Sequence, residues 1–410
     1  MHWCSSFRIN VSCHCLIKIY QLNTSTQLLN MLWKSKISYI ALSTVVLIAC
    51  CKDPDREPEP DPDIDIFSNE KYAVYMAFSY DSIPSASSKS ILCSGIWTNP
   101  KTSAESSSVR KLSPGRDEGV EVFDICVTEE KTVYAAGCFG NAAVYWEDDK
   151  EVELPEGRVA MGIGVNSKGV VYTCGFQKEG YEESAKMWQG INPRILKNGS
   201  RATKLSICDD KCYVAGYGCN ADKNDVEEAR IWIDGQAYNR LSQDNDDDEN
   251  GFYPAIANDI VSDGDNWWCV GRERNSAVGY LPKVWINRSN NNLKREGPGS
   301  SLTCIKYENG IFYIGGNDGY HAMYWTASQK SNKENRINNC KEYDLSSGTT
   351  QAMVEDIDVL NGIVVCCGYE RSTSGSYVPK LWINGAEYSL GQQFNNYSNV
   401  RPRAVAIVKR

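Results

Sequence analysis

The residues best placed to do chemistry sit on short apolar strands: VEVFDICV at 120–127, AIANDIVS at 255–262 and AMVEDIDVL at 352–360 each carry an aspartate in one register. Aligned on it, Asp124, Lys204, Asp259, Thr303 and Asp356 share one position, and Gly162 fills the same slot in a further segment. If these strands converge, three carboxylates beside an ammonium could hold a cation or polarise a hydroxyl. The plainer alternative is that they cap turns or accept backbone N–H groups. A second acidic group, QDNDDDENG at 243–251, invites a calcium reading. Against an EF-hand template starting at Asp244, the sixth position is Glu249 where glycine is required, and the twelfth is Ala255 where glutamate is required. A solvated loop is expected there, with calcium the one cofactor left open.

Catalytic signatures are scarce. Once the leader described below is removed, His321 is the single histidine, which nearly excludes a Ser-His-Asp triad or a histidine metal cluster. It joins Asp124, Lys204, Asp259 and Asp356 as a candidate ligand-binding residue. There is no Gly-x-Ser-x-Gly, P-loop or Gly-x-Gly-x-x-Gly. A glycosidase needs only two carboxylates, and a lyase can use tyrosine with lysine or arginine. With 52 acids and 23 tyrosines present, both chemistries stay open.

A repeat must position these groups. VPKLWING at 378–385 has near copies in LPKVWINR at 281–288 and EARIWIDG at 228–235. From about residue 70, each unit runs through an apolar strand, a second strand ending in small residues and glycine, a variable loop, a tryptophan strand, a turn and a short fourth strand. The second strands are VYMAFS, VYAAGC, VYTCGF, CYVAGY, WWCVGR, FYIGGN and VVCCGY. The third place Trp97, Trp146, Trp188, Trp232, Trp285, Trp325 and Trp382 in register, at spacings of 49, 42, 44, 53, 40 and 57 residues. That period is the signature of propeller blades, and the three-and-four spacing of helices is missing.

The reading is therefore all-β: a seven-bladed propeller of four-stranded blades over 69–410. The first unit starts at its second strand, KYAVYMAF, and the last is followed by an orphan first strand, VRPRAVAIVKR. The C-terminal strand should complete the N-terminal blade, which removes the exposed edges of an open sheet. Seven copies of tryptophan suit packing between blades better than sugar stacking. Lys186, Arg230, Lys283 and Lys380 stand two residues before their tryptophans, on the same strand face. They could form a polyanion-binding arc, or pack their stems beside the indoles with the charges on solvent or acidic neighbours.

The front of the chain reads as an address. Residues 1–30 look like an upstream extension or mis-assigned start, since Met31 opens MLWKSKISYIALSTVVLIACCKD. Lys34 and Lys36 precede an apolar run of 13 residues, Ile37 to Ala49, too short to span a membrane and right for a secretory signal over 31–49. Residues 50–68 begin CCKDPDREPEPDPDIDIF, where prolines alternate with acids, so an extended, self-repelling tether is expected.

Leu47-Ile48-Ala49-Cys50 resembles a bacterial lipobox, which implies cleavage before Cys50 and lipid attachment, palmitate included, at that residue. The Lys52-Asp53 start of the acidic segment is similar to the export signals of Bacteroidetes surface lipoproteins. The repeat resembles the HAF-type extracellular repeat, with Gly319-Tyr320-His321-Ala322-Met323-Tyr324-Trp325 the nearest match. That likeness implies an extracellular β architecture and carries no catalytic residue across. Together these features imply a lipid-anchored protein of a Gram-negative outer membrane or cell surface.

Formal charge is −9, and it becomes −13 without residues 1–49, whose only charges are Arg8, Lys18, Lys34 and Lys36. Such a body should repel phosphate backbones, so nucleic acid is not an expected partner. Seventeen cysteines in 410 residues fall well below a disulfide scaffold's density. Cys208 and Cys212, flanking the turn DDK, make the best disulfide candidate. The expected function is a monomeric, non-catalytic module binding a glycan or protein through loops of one face, such as 176–184 and 217–228. The alternatives are a polysaccharide hydrolase or lyase at the channel mouth, and a scaffold in an envelope assembly.

Overall fold

The computed structural model describes residues 71–82, 90–101, 106–115, 119–220, 226–241, 254–275, 279–287, 289–291, 299–331 and 334–410. The segment 31–49, Cys50, the acidic tether and the 243–251 loop lie outside the described residues. Among the described residues twenty-eight strands form seven four-stranded antiparallel sheets, and each sheet is one blade. The single helical element among the described residues is a short 3-10 turn, Gly391–Phe394.

Six blades use four consecutive strands, with the first of each innermost. Blade 1 takes its inner strand from the other end of the chain. Ser398–Lys409 pairs with Tyr72–Ser82, from Tyr72↔Lys409 to Asp81↔Ser398. Arg410 reinforces the seam, donating to the carbonyls of Tyr72 (2.8 Å), Asn99 (3.1 Å) and Pro100 (2.7 Å). The N-terminal blade is thus closed by the C-terminal strand, as the orphan strand predicts.

The core is seven apolar clusters, one per junction between blades. Trp188 of blade 3 packs against Tyr134, Ala136 and Tyr145 of blade 2. Trp232 of blade 4 does the same with Cys174, Ala185 and Met187 of blade 3. Trp97 of blade 1 meets Val365, Cys367 and Leu381 of blade 7, so the wedge continues across the seam. All seven repeat tryptophans are at most 2% exposed. The Trp188 and Trp232 indoles also donate to the carbonyls of Pro155 (2.9 Å) and Lys197 (3.0 Å), on the loop entering each blade.

Each inner strand carries a bulge. In blades 2 to 7 it precedes Asp124, Gly162, Lys204, Asp259, Cys304 and Asp356. The extra residue drives an inner-strand carbonyl into the second strand. The recurring second-strand glycine makes room: a Cβ on Gly271 would lie 2.0 Å from the Ile256 carbonyl, and one on Gly137 2.0 Å from that of Glu121. The repeated phrase ending in glycine is therefore the counterpart of the bulge.

The four cations beside the tryptophans are neutralised within their own blades or by the adjoining loop. Lys186 pairs with Glu156, Arg230 with Glu228 (2.6 Å), Lys283 with Glu273 (3.4 Å), and Lys380 with Glu370 (3.3 Å) and Glu387 (2.7 Å). They form no free polyanion arc. The disulfide expectation is corrected too, because Cys208 and Cys212 are free thiols. Cys212 is paired with Ile207, so Cys208, the next residue, points to the opposite face of the sheet. All twelve described cysteines are free, seven of them buried.

Gly271→Ala is expected to destabilise the protein by about 1–3 kcal/mol or more through overpacking against a backbone oxygen. Chemical denaturation checks this, and a midpoint equal to wild type would show that the bulge tolerates a side chain.

Candidate functional site

All seven inner strands line a central cavity of about 370 Å³, and its polar wall is Asp124, Lys204, Asp259, Lys306, Asp356 and Asp358 with Ser206 and Ser262. The structure thus brings four of the candidate residues together. In blades 2, 5 and 7 the residue after the bulge is an aspartate whose carboxylate reaches the following blade. Asp124 accepts from the Ile163 amide (2.9 Å), Asp259 from Ile305 (2.9 Å) and Asp356 from Val405 (3.0 Å). Asp259 also accepts from the Ile260 amide (2.7 Å). One layer on, Asp358 accepts from Ile407 (2.9 Å).

Lys204 supplies the counter-charge. Its ammonium donates to Asp124 and stands 3.9 Å from Asp356. Lys306 stands 3.7 Å from Asp358. Burial works against both ammonium groups. Even so, Asp124, Asp356 and Asp259 hold Lys204 well above the usual lysine range, and Asp358 with Asp356 and Asp259 does this for Lys306. Burial pushes the Asp259 carboxyl up to about 7, opposed by Lys204 and Lys306 and assisted by Asp356. Asp356 is raised for the same reason. The Lys204 ammonium lies among the carboxylates where a metal would sit. No grouping of three or more His, Cys, Asp or Glu suited to a metal occurs among the described residues.

Blade 6 departs from the expected alignment. Cys304 stands opposite Gly315 in the slot that Asp124 fills opposite Ala136. Thr303 is the bulge residue itself. Its hydroxyl donates to the Val354 carbonyl of blade 7 (2.7 Å), with the Gly315 carbonyl 3.1 Å away. Lys306 and Asp358 were missed, although each lies two residues beyond the aligned slot, on the same strand face. His321 is not part of the cavity. It lies on the third strand of blade 6, its Nδ1 3.6 Å from Asp344, with its ring against Gly348.

A charged layer crosses the inner strands of blades 7, 1 and 2. Arg401 pairs with Glu355 (2.5 Å) and lies 5.5 Å from the Tyr369 ring and 5.2 Å from Tyr377. Arg403 pairs with Glu121 and lies over Phe123. Burial pushes the Tyr369 phenol up, the opposite of what a tyrosinate base for a lyase would need.

A second concavity, of about 510 Å³, lies at the junction of blades 2 and 3 and is lined by Asn141, Glu156, Gly157, Arg158, Gln177, Lys178 and Glu179. It is built from the turn between the second and third strands of blade 2, the loop entering blade 3, and the end of that blade's second strand. The loop is fixed from beneath by Trp188 on the Pro155 carbonyl and by the buried Lys186 on Glu156. Tyr181, fully exposed, stands two residues beyond Glu179 at the tip of the same hairpin.

No protein-family model matches the chain, and no curated protein is significantly similar to it. Solved structures of similar shape include polysaccharide lyase Uly1, at 8% identity over 77% of this chain and 88% of that one, TM-score 0.49. The acylaminoacyl peptidase of Pyrococcus horikoshii matches at 12% identity over 78% of this chain, TM-score 0.47, and the match spans 51% of that peptidase, about half its length. The periplasmic gluconolactonase PpgL of Pseudomonas aeruginosa matches at 10% identity over 82% and 99% of the two chains, TM-score 0.37. Likeness at this level transfers neither site residues nor activity.

Two outcomes are expected from the channel. Lys204→Met should cost about 3–5 kcal/mol in chemical denaturation, because it strands buried carboxylates. Asp259 is protonated in the folded protein up to about pH 7, whereas its ordinary value is 3.8. Its stabilising proton is therefore fully effective below the ordinary value and lost as pH rises towards 7. The melting temperature of Asp259→Asn minus that of wild type should climb between pH 4 and pH 8. A flat difference would mean that Asp259 titrates as an ordinary carboxyl.

Proposed function

We propose that this chain is a lipid-anchored cell-envelope protein whose propeller binds a glycan or protein ligand through loops of one face, without catalysing a reaction. The observation that carries this is how the polar groups are used. The channel carboxylates are spent on backbone amides of neighbouring blades and on two lysines. The groove at the junction of blades 2 and 3 instead presents polar side chains to solvent, on a loop face that includes the 176–184 hairpin. Such a concavity lies within the roughly 300–1,000 Å³ typical of ligand sites.

The signal-like run ending LIAC and the alternating proline and acid residues after Cys50 support anchoring at that cysteine, with the propeller held off the outer membrane of a Gram-negative bacterium. His321 keeps a peripheral place in this proposal, since it does not line the channel.

Cells fed an alkyne-bearing palmitate should label the wild-type protein and not Cys50→Ala, which should move to the soluble fraction. Equal labelling of both would remove the anchor from the proposal. The full chain, screened against host and plant polysaccharides, should show a raised melting temperature without new reducing or unsaturated ends. New ends would overturn the non-catalytic reading and favour a hydrolase or lyase.

A further inference from the structure

We infer that the groove between blades 2 and 3 binds an uncharged, hydroxyl-rich oligosaccharide, an inference that rests on the binding-module reading above. Its wall has two carboxylates, Glu156 and Glu179, and two cations, Arg158 and Lys178, so their formal charges cancel. Neither an anion nor a cation gains net attraction there. Two amides, Asn141 and Gln177, add a donor and an acceptor each. A ligand of vicinal hydroxyls, every one both donor and acceptor, matches that mixed set better than phosphate, uronate or ammonium.

The hydrogen-bonding capacity is also unspent. Glu156 is held by Lys186, and Lys178 stands 3.8 Å from Glu183. Among the described residues, the side chains of Asn141, Arg158, Gln177 and Glu179 make no hydrogen bond or ion pair. The next junction shows that this is not a property of the repeat. There the corresponding loop residue, Ser200, accepts from the Cys219 amide (3.0 Å), and Arg201 is clamped on Glu183. Glycine replaces the glutamine at the counterpart of Gln177, which is Gly218.

The floor is pre-formed, which lowers the ordering cost of binding. Glu156 sits at φ 58°, in the left-handed region, and its carboxylate accepts from Lys186. Gly157 cannot be enlarged: a Cβ would lie 2.6 Å from Ala143 and 2.7 Å from Trp188. Tyr181 adds an exposed ring beside the groove for the C–H face of a sugar.

The test uses the full chain in detergent, titrated with dextran, xylan, mannan and galactan, and with polygalacturonate and chitosan oligomers as charged controls. At least one neutral polysaccharide should bind. Arg158→Ala and Gln177→Ala should each weaken it about tenfold, with unchanged melting temperatures, and Tyr181→Ala several-fold. Neutral binding that these variants leave intact would overturn the groove while leaving the binding module standing. Binding of only the charged polymers would overturn the ligand class. Silence with every polysaccharide would overturn the inference, and the module reading would then fall only if cross-linking on intact cells also captured no partner protein.

Discussion

A four-stranded sheet with apolar side chains on both faces can bury neither against itself, so every blade depends on a neighbour to either side. The indole on each third strand meets that need by filling the gap to the preceding blade, and the seven apolar clusters each span one junction. Such an arrangement has no stable open form short of the full ring, because the end blades would expose a face. Pairing Ser398–Lys409 with Tyr72–Ser82 answers that difficulty. The closing strand is also fastened from within, by Asp356 on Val405 and Asp358 on Ile407.

The channel charges follow from this architecture. Inner strands splay from one another, and backbone amides that face the gap need acceptors long enough to cross it. Aspartate just after a bulge is such an acceptor, and two lysines keep the resulting anions from being stranded in a buried space. The links are uneven: Gly162, Cys304 and Ala404 occupy the slot in blades 3, 6 and 1 and offer no carboxylate. Blade 6 substitutes the Thr303 hydroxyl, which reaches the Val354 carbonyl.

Much of the fold was legible because a large tryptophan recurs at the same strand position once per unit, and because an orphan strand at one end matches a missing strand at the other. Bulges were not legible. They add one residue without changing composition, so LTCI in blade 6 aligned on Thr303 when the backbone places Cys304 in the slot. Cys208 and Cys212 looked bridgeable by spacing, yet alternation along the strands sends them to opposite faces. Asp124, Lys204, Asp259 and Asp356 could be found by alignment, since all sit at one register of one strand. The groove residues Asn141, Arg158 and Gln177 could not, for they come from three separate segments and follow no period.

The free cysteines bear on how this chain meets its surroundings. Burial pushes Cys138 up to about 11 and Cys212 to about 12, and raises Cys174, Cys269, Cys304, Cys366 and Cys367 well above the ordinary thiol range. Exchange and oxidation proceed through the thiolate, so these sulfurs are kinetically inert while the blades stay packed. Among the described cysteines these seven are buried, and Cys219 is the one that is exposed. Packing thus shields these seven sulfurs from the chemistry of the surroundings for as long as the blades hold together.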